Sequence, residues 1–319
     1  IKDEWYRAVA LTRQVPHLPE ALRKATLQDA LTTAQVIGDE EDRARTLIDL
    51  APHLPQILLR DVLMMVQTIA DEEERAAALT DLAPYLSEFL LRDALTVAQA
   101  IEEELYRAVT LTGLAPYLPD TLLQDALTAV QVMKNEEARV RGLIGLAPHL
   151  PRVLMWDALK TARVMKWEWD RAWALTRLSP YLPDELRFAV FQEALTAAQA
   201  IAFGQPRTWA LTELIPHLPE VFRRVAIQDA LTAVQTIEFE QYRVKALTGL
   251  IPHLPEVLFK ATLQDALTSA KVIEREKDRA DALAGLAPHL PDALLRDTLT
   301  TVQMMKNEEA RVRGLIGLT

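Results

Sequence analysis

The chain has 319 residues, half of them hydrophobic and a quarter charged, which suits a soluble protein with a large buried core. A formal net charge of −10 counts against a nucleic-acid partner, which requires a basic stripe for phosphate. The lack of cysteine excludes disulfides, thiolate metal sites and cysteine nucleophiles and fits a cytoplasmic setting; no apolar run approaches the roughly 18 residues of a membrane span.

Residues 1–15 read as the second helix of a pair whose first is missing. A Pro-His/Tyr-Leu-Pro/Ser signature then begins at Pro16 and returns at Pro52, Pro84, Pro116, Pro148, Pro180, Pro216, Pro252 and Pro288. Its spacings are 36, 32, 32, 32, 32, 36, 36 and 36 residues, the mark of stacked supersecondary units. Seventeen of the eighteen prolines belong to these signatures, so proline punctuates the fold; only Pro206 falls between them. The expected architecture is an all-α solenoid of about nine helix-turn-helix repeats, with residues 1–319 forming a single repeat domain.

The third unit shows the pattern. Ser87 to Ile101 places Leu90, Ala94, Leu95, Ala98 and Ile101 at helical steps, and Glu102 to Leu114 does the same with Ala108, Leu111 and Leu114. Pro116 is expected to stop the second helix, and the signature's second proline to sit in the first turn of the next one. Acids such as Glu20, Asp120 and Asp184 then complement the helix dipole. Units beginning at Pro16, Pro180, Pro216 and Pro252 carry four extra residues early in the first helix. Four residues are close to one 3.6-residue turn, so the apolar face stays in phase and the insertion is expected to be helical.

Two polar columns recur in every unit. The first helices carry an acid (Asp29, Asp61, Asp93, Asp125, Asp157, Glu193, Asp229, Asp265, Asp297), and the second helices an arginine (Arg7, Arg43, Arg75, Arg107 and onward to Arg311). A residue needed in every unit serves the unit, so the expectation is a structural ladder of Asp–Arg pairs; a charged ligand groove is the alternative. A column of glutamines (Gln35, Gln67, Gln99, Gln131) and one of threonines (Thr32, Thr96, Thr128) face either an extended peptide or an interhelix seam.

All six histidines occupy one repeat position in the interhelix loop, with Tyr85, Tyr117 and Tyr181 in the other three units. Equivalent positions in stacked helices lie about 8–10 Å apart, too far to share a metal ion. No phosphate-binding glycine loop, nucleophile elbow, HExxH or calcium-loop motif is present, so no catalytic, cofactor or metal residue is nominated.

The fifth unit departs from the pattern, with Trp156, Trp167, Trp169 and Trp173, and Trp209 follows in the sixth. Trp156 replaces Arg60, Arg92, Gln124 or Arg296; Trp169 replaces Glu41 or Glu73; Trp173 and Trp209 occupy the column of Arg45, Arg141 and Lys245. Aromatic side chains at positions polar elsewhere form a candidate partner or oligomer contact. They also lie where repeat length changes from 32 to 36, so space-filling at that junction is the competing reading.

Lys134 to Leu146 is identical to Lys306 to Leu318, a sign of internal duplication. The chain opens on Ile1 and ends RGLIGLT, without polar capping helices, and is expected to be part of a longer protein or to associate end to end.

The stretch GDEEDRARTLIDLAPHLP, Gly38 to Pro55, resembles the TPR/HEAT group of α-solenoids: its Gly-Asp turn is TPR-like, and its acid-x-x-x-Arg-Ala run is similar to a HEAT second helix. It lacks the early Trp, Gly and Tyr positions of TPR and the spacing of HEAT. More specifically it resembles the Leu-Ala-Pro-His-Leu-Pro repeats of large multidomain bacterial signalling proteins of the cyanobacterial type. That resemblance spans essentially the whole chain. It implies a non-catalytic recognition or scaffolding arm that binds a protein or peptide, possible self-association included. A modular nucleic-acid reader and a self-assembling architectural repeat are the alternatives.

Overall fold

The computed structural model describes residues 4–318, and among them every regular element is helical. The chain is an all-α solenoid of repeats, in which each unit contributes a first helix, a second helix and a short 3-10 or turn segment that leads into the next. It divides into two compact units, Ile1–Val164 and Met165–Thr319.

The third repeat shows how sequence becomes structure. Its first helix runs Glu88–Gln99 and its second Glu104–Leu114, with Leu90, Ala94, Leu95, Ala98, Ala108, Leu111 and Leu114 buried. Both prolines act one step away from their expected places. Pro116 does not simply end the helix: Ala115–Tyr117 winds on as a 3-10 turn, closed by the Leu118 N–H donating to the Ala115 carbonyl at 3.2 Å. In that first turn proline's missing N–H leaves nothing unpaired. Pro119 is the N-cap of the next helix rather than its first residue, extended at φ −67 and ψ 161, with its carbonyl accepting from Leu122 and Leu123. Prolines occupy the same cap at Pro19, Pro55, Pro151, Pro183, Pro219, Pro255 and Pro291.

The four-residue insertions are helical. First helices of long repeats have 16, 17, 15 and 16 residues (Glu20–Gln35, Asp184–Ala200, Glu220–Val234, Glu256–Lys271), against 12 in Gln56–Gln67 and Asp120–Gln131. The added turn changes what the second helices touch. Where the next first helix is long, the preceding second helix packs mainly on it, as Gly204–Leu214 does on Glu220–Val234. Where the intervening first helix is short, successive second helices pack mainly on each other, as in Glu104–Leu114 on Glu136–Leu146 and Glu276–Leu286 on Glu308–Gly317.

Glycine permits the closer of these two contacts. A Cβ added to Gly145 would lie 2.7 Å from the Thr112 Cβ, one added to Gly113 would lie 3.0 Å from the Thr80 Cβ, and one on Gly317 would run into the Ala284 methyl. All three glycines face a second helix across a short repeat. At the same helix position across long repeats, a Cβ on Gly249 would approach Thr212 no nearer than 3.6 Å, and one on Gly285 meets nothing. Repeat length therefore selects between two packing modes.

Candidate interaction surface

The recurrent arginine has a structural role, but its partner is not the recurrent acid. Arg107 donates to the Ile101 carbonyl at 2.7 Å, the orphan acceptor at the end of the preceding first helix, and pairs with Glu104 at 3.0 Å. Arg43, Arg75, Arg139, Arg243 and Arg279 repeat both contacts, to the carbonyl six residues back and the glutamate three back. The expected ladder of Asp–Arg pairs is thus corrected to a Glu–Arg clamp. The fork-shaped guanidinium can bind a carboxylate and a helix C-terminal carbonyl together, and the glutamate one turn before it lies nearer than the acid of the first helix. An Asp–Arg approach occurs at Arg7 and Asp29, at 3.7 Å between exposed side chains.

The same glutamates join neighbouring short repeats. Glu72 accepts the Glu102 and Glu103 N–H groups at 2.9 and 2.8 Å, at the entry to the next second helix. Glu40 does so for Ala70 and Asp71, Glu104 for Lys134 and Asn135, and Glu276 for Lys306 and Asn307. Each of these bridges spans a 32-residue repeat. Across the 36-residue repeat that begins at Pro252, Glu240 Oε2 is buried with no hydrogen-bond partner. In the second helix Gly204–Leu214 glycine replaces the glutamate, and a Cβ on Gly204 would lie 2.7 Å from the Ala233 carbonyl oxygen.

These bridges carry a pH dependence. The Glu102 and Glu103 amides, helped by Arg75 and Arg107 and opposed by burial, hold the Glu72 carboxyl below its usual range. Glu40 and Glu276 are lowered mainly by the Asp71 and Asn307 amides, and at Glu104 the amides and Arg107 outweigh a larger burial effect. A carboxylate lowered in the folded state adds stability that is complete above its ordinary pKa of 4.5 and is lost as pH falls through the folded value. Glu72→Gln should therefore make the melting temperature fall less steeply with acidification than in wild type. Parallel profiles would contradict the assignment.

The polar columns of the first helices form a seam. Gln131 donates to the Asp157 carbonyl at 3.3 Å and to Thr161 Oγ1 at 3.0 Å, Gln99 reaches the Asp125 carbonyl, and Gln199 bonds Asp229. The threonine hydroxyls turn back on their own helix, as Thr96 does to the Arg92 carbonyl at 3.0 Å. A shallow groove of about 440 Å³, lined by Gln99, Arg107, Asp125 and Thr128, lies between Glu88–Gln99 and Asp120–Gln131.

The histidines lie in the turns between repeats, each on its own. Burial and the nearby Arg223 lower the His253 pKa. Among the described residues no group of three His, Cys, Asp or Glu side chains could hold a metal ion, and no helix is long and apolar enough to cross a membrane.

The five candidate tryptophans, all but Trp5 of the six in the chain, divide by place and exposure. Trp156 is on Arg152–Arg163 in the first unit and is 45% exposed. In the second unit Trp167, Trp169 and Trp173 follow the course of one helix, Glu168–Leu178, and Trp209 is on Gly204–Leu214, which packs against it. Trp167 is 56% exposed with the Lys166 ammonium 4.6 Å from its ring; Trp169, Trp173 and Trp209 are half-buried. Lys245, one repeat further along the same column, lies 5.5 Å from the Trp209 ring.

Trp167 stands in a column that sequence reasoning passed over. It is the N-cap of its helix, the position at which Asp39, Asp71, Glu103 and Asn135 accept backbone N–H groups in the first unit. The next two N-caps are Phe203 and Phe239, 77% and 62% exposed and unable to cap. Losing an N-cap acceptor costs about 1 kcal/mol, and these rings recover little by burial. The signal was legible: aromatics replace carboxylates at one fixed repeat position.

No protein-family model matches the chain, and no curated protein matches it. Among solved structures it is similar to Ton1535 from Thermococcus onnurineus NA1, at 15% identity over 97% of this chain and 99% of that one, with a TM-score of 0.31. It is also similar to a circular tandem repeat protein with novel repeat topology and enhanced subunit contact surfaces, at 13% identity over 99% and 81% of the two chains and a TM-score of 0.26.

Proposed function

We propose that this chain is a non-catalytic recognition and scaffolding arm that binds a protein or peptide through Trp156, Trp167, Trp169, Trp173 and Trp209. In this reading residues 1–319 serve as one repeat domain of a larger bacterial signalling protein in the cytoplasm. The observation that carries it is the exposure of Trp156 and Trp167, 45% and 56%, the first at a repeat position that holds arginine or glutamine elsewhere and the second at one that holds aspartate, glutamate or asparagine in the first unit. Large aromatics kept at the surface are typical binding anchors, since they bury much area for little entropy. A stack of helix pairs has no private interior in which acid, base and nucleophile could converge, which favours recognition over catalysis.

The test compares Trp156→Gln/Trp167→Gln with wild type in crosslinking capture, with melting temperature as the control. Expected is loss of captured partner, another protein or a second copy, with melting within about 0.5 kcal/mol of wild type. Undiminished capture, or a marked fall in melting temperature, would assign these two rings to packing instead. The half-buried Trp169, Trp173 and Trp209 are expected to lose stability as well as binding when truncated.

A further inference from the structure

The N-cap column of the second helices, and the column two residues on, change chemistry between the two compact units. In the second unit, Trp167, Phe203 and Phe239 line the N-terminal edge of successive second helices, and Arg275 continues their column. Tyr242 packs edge-on against Phe239 with ring centroids 6.1 Å apart. Cations flank this strip: Lys245 over Trp209, Arg275 at 79% side-chain exposure, and Lys277. Lys277 pairs with Glu309 at 3.3 Å between exposed side chains, a contact that is cheap to exchange, and Arg275 approaches the largely buried Asp278 at 3.5 Å. In the first unit the matching edge is acidic, with Asp39, Glu41, Asp71, Glu73 and Glu103 all exposed. Burial and repulsion from Glu41, Asp71 and Glu73, against the pull of Arg45, raise the pKa of neighbouring Glu74; on this edge Glu41 pairs with Arg45 at 2.8 Å.

We propose that the aromatic, cation-flanked edge of the second unit is a self-association surface that docks on the acidic edge of the first unit of another copy. This names the partner within the recognition reading above and rests on it. The argument is charge complementarity: the chain carries, in one repeat frame, both an apolar strip set among cations and the carboxylate strip that would neutralise them. Exposed rings at three successive N-caps cost the monomer stability and give it little burial, whereas a docked acidic edge would cover them. Because the two edges differ, the contact is heterologous, so assemblies can grow beyond a dimer.

Sedimentation velocity across a concentration series tests this on the intact chain. At low salt the wild-type mass should rise above the 35.9 kDa monomer with concentration, and added salt should reverse the rise. Phe203→Asn/Phe239→Asn should abolish that rise without lowering the melting temperature, because asparagine already caps this position at Asn135 and Asn307. Lys245→Glu/Arg275→Glu/Lys277→Glu and Glu41→Lys/Glu73→Lys should each fail to associate alone and recover association when mixed. A wild type that stays monomeric, an association that survives the phenylalanine substitutions, or a mixture that fails to recover would overturn the proposal. A monomeric wild type that still captures a foreign protein through Trp156 and Trp167 overturns self-association while sparing the recognition reading; loss of both overturns both.

Discussion

Gly145→Ala should destabilise the protein, by about 1–3 kcal/mol, although alanine is the better helix former by about 1 kcal/mol. The helix Glu136–Leu146 packs directly on Glu104–Leu114, and the added methyl would lie 2.7 Å from the Thr112 Cβ. Turning the Thr112 side chain cannot move its Cβ, so the helices must separate. Gly285→Ala, at the same helix position across a long repeat, meets no atom within 4 Å and should stabilise by about 0.5–1 kcal/mol. Opposite signs for one chemical change in one repeat frame are not explained by propensity alone. Chemical denaturation of the two variants decides it, and two stabilised proteins would remove the close-packed mode.

Arg107→Met should cost about 2–3 kcal/mol, since it strips a half-buried carboxylate and a helix C-terminal carbonyl of their shared donor. Arg107→Lys should recover only part, because one ammonium cannot reproduce the planar fork. Asp93→Asn and Asp125→Asn, in the acid column expected to pair with arginine, should lie within about 0.5 kcal/mol of wild type. If the aspartates prove as costly as the arginine, the Glu–Arg clamp is the wrong ladder.

Much of the fold was legible because it is governed by local rules repeated nine times. Proline spacing located the turns between units, and four-residue insertions kept phase because they add about one helical turn. The partner of the arginines was less legible. Asp29 and Arg7 recur in step with their columns, but so does Glu40, and only geometry separates a glutamate one turn away from an acid on another helix. The consequence of repeat length was hidden for a related reason: phase preserved along one helix says nothing about which neighbour it touches. Gly113 and Gly145 against Gly249 and Gly285 carried that information, readable once their surroundings were known. Among the surface residues, Trp156 and Trp167 stood out as departures from polar columns. Phe203 and Phe239 did not, because phenylalanine in an apolar-rich repeat reads as core until the N-cap column is aligned.

The central structural claim is that repeat length sets how closely successive second helices approach, tighter across short repeats than across long ones. A chain without cysteine lets engineered disulfides measure this directly. Thr80→Cys/Gly113→Cys bridges a short repeat and Thr248→Cys/Gly285→Cys the equivalent positions of a long one; disulfide Cβ atoms sit about 3.5–4.5 Å apart, so the first pair, at 3.0 Å, needs a shift of about 0.5 Å to close, whereas nothing lies within 4 Å of a Cβ on Gly285. The account predicts rapid, near-complete crosslinking of the first pair under mild oxidation and little of the second. Equal crosslinking of the two pairs, or none in the first, would contradict it.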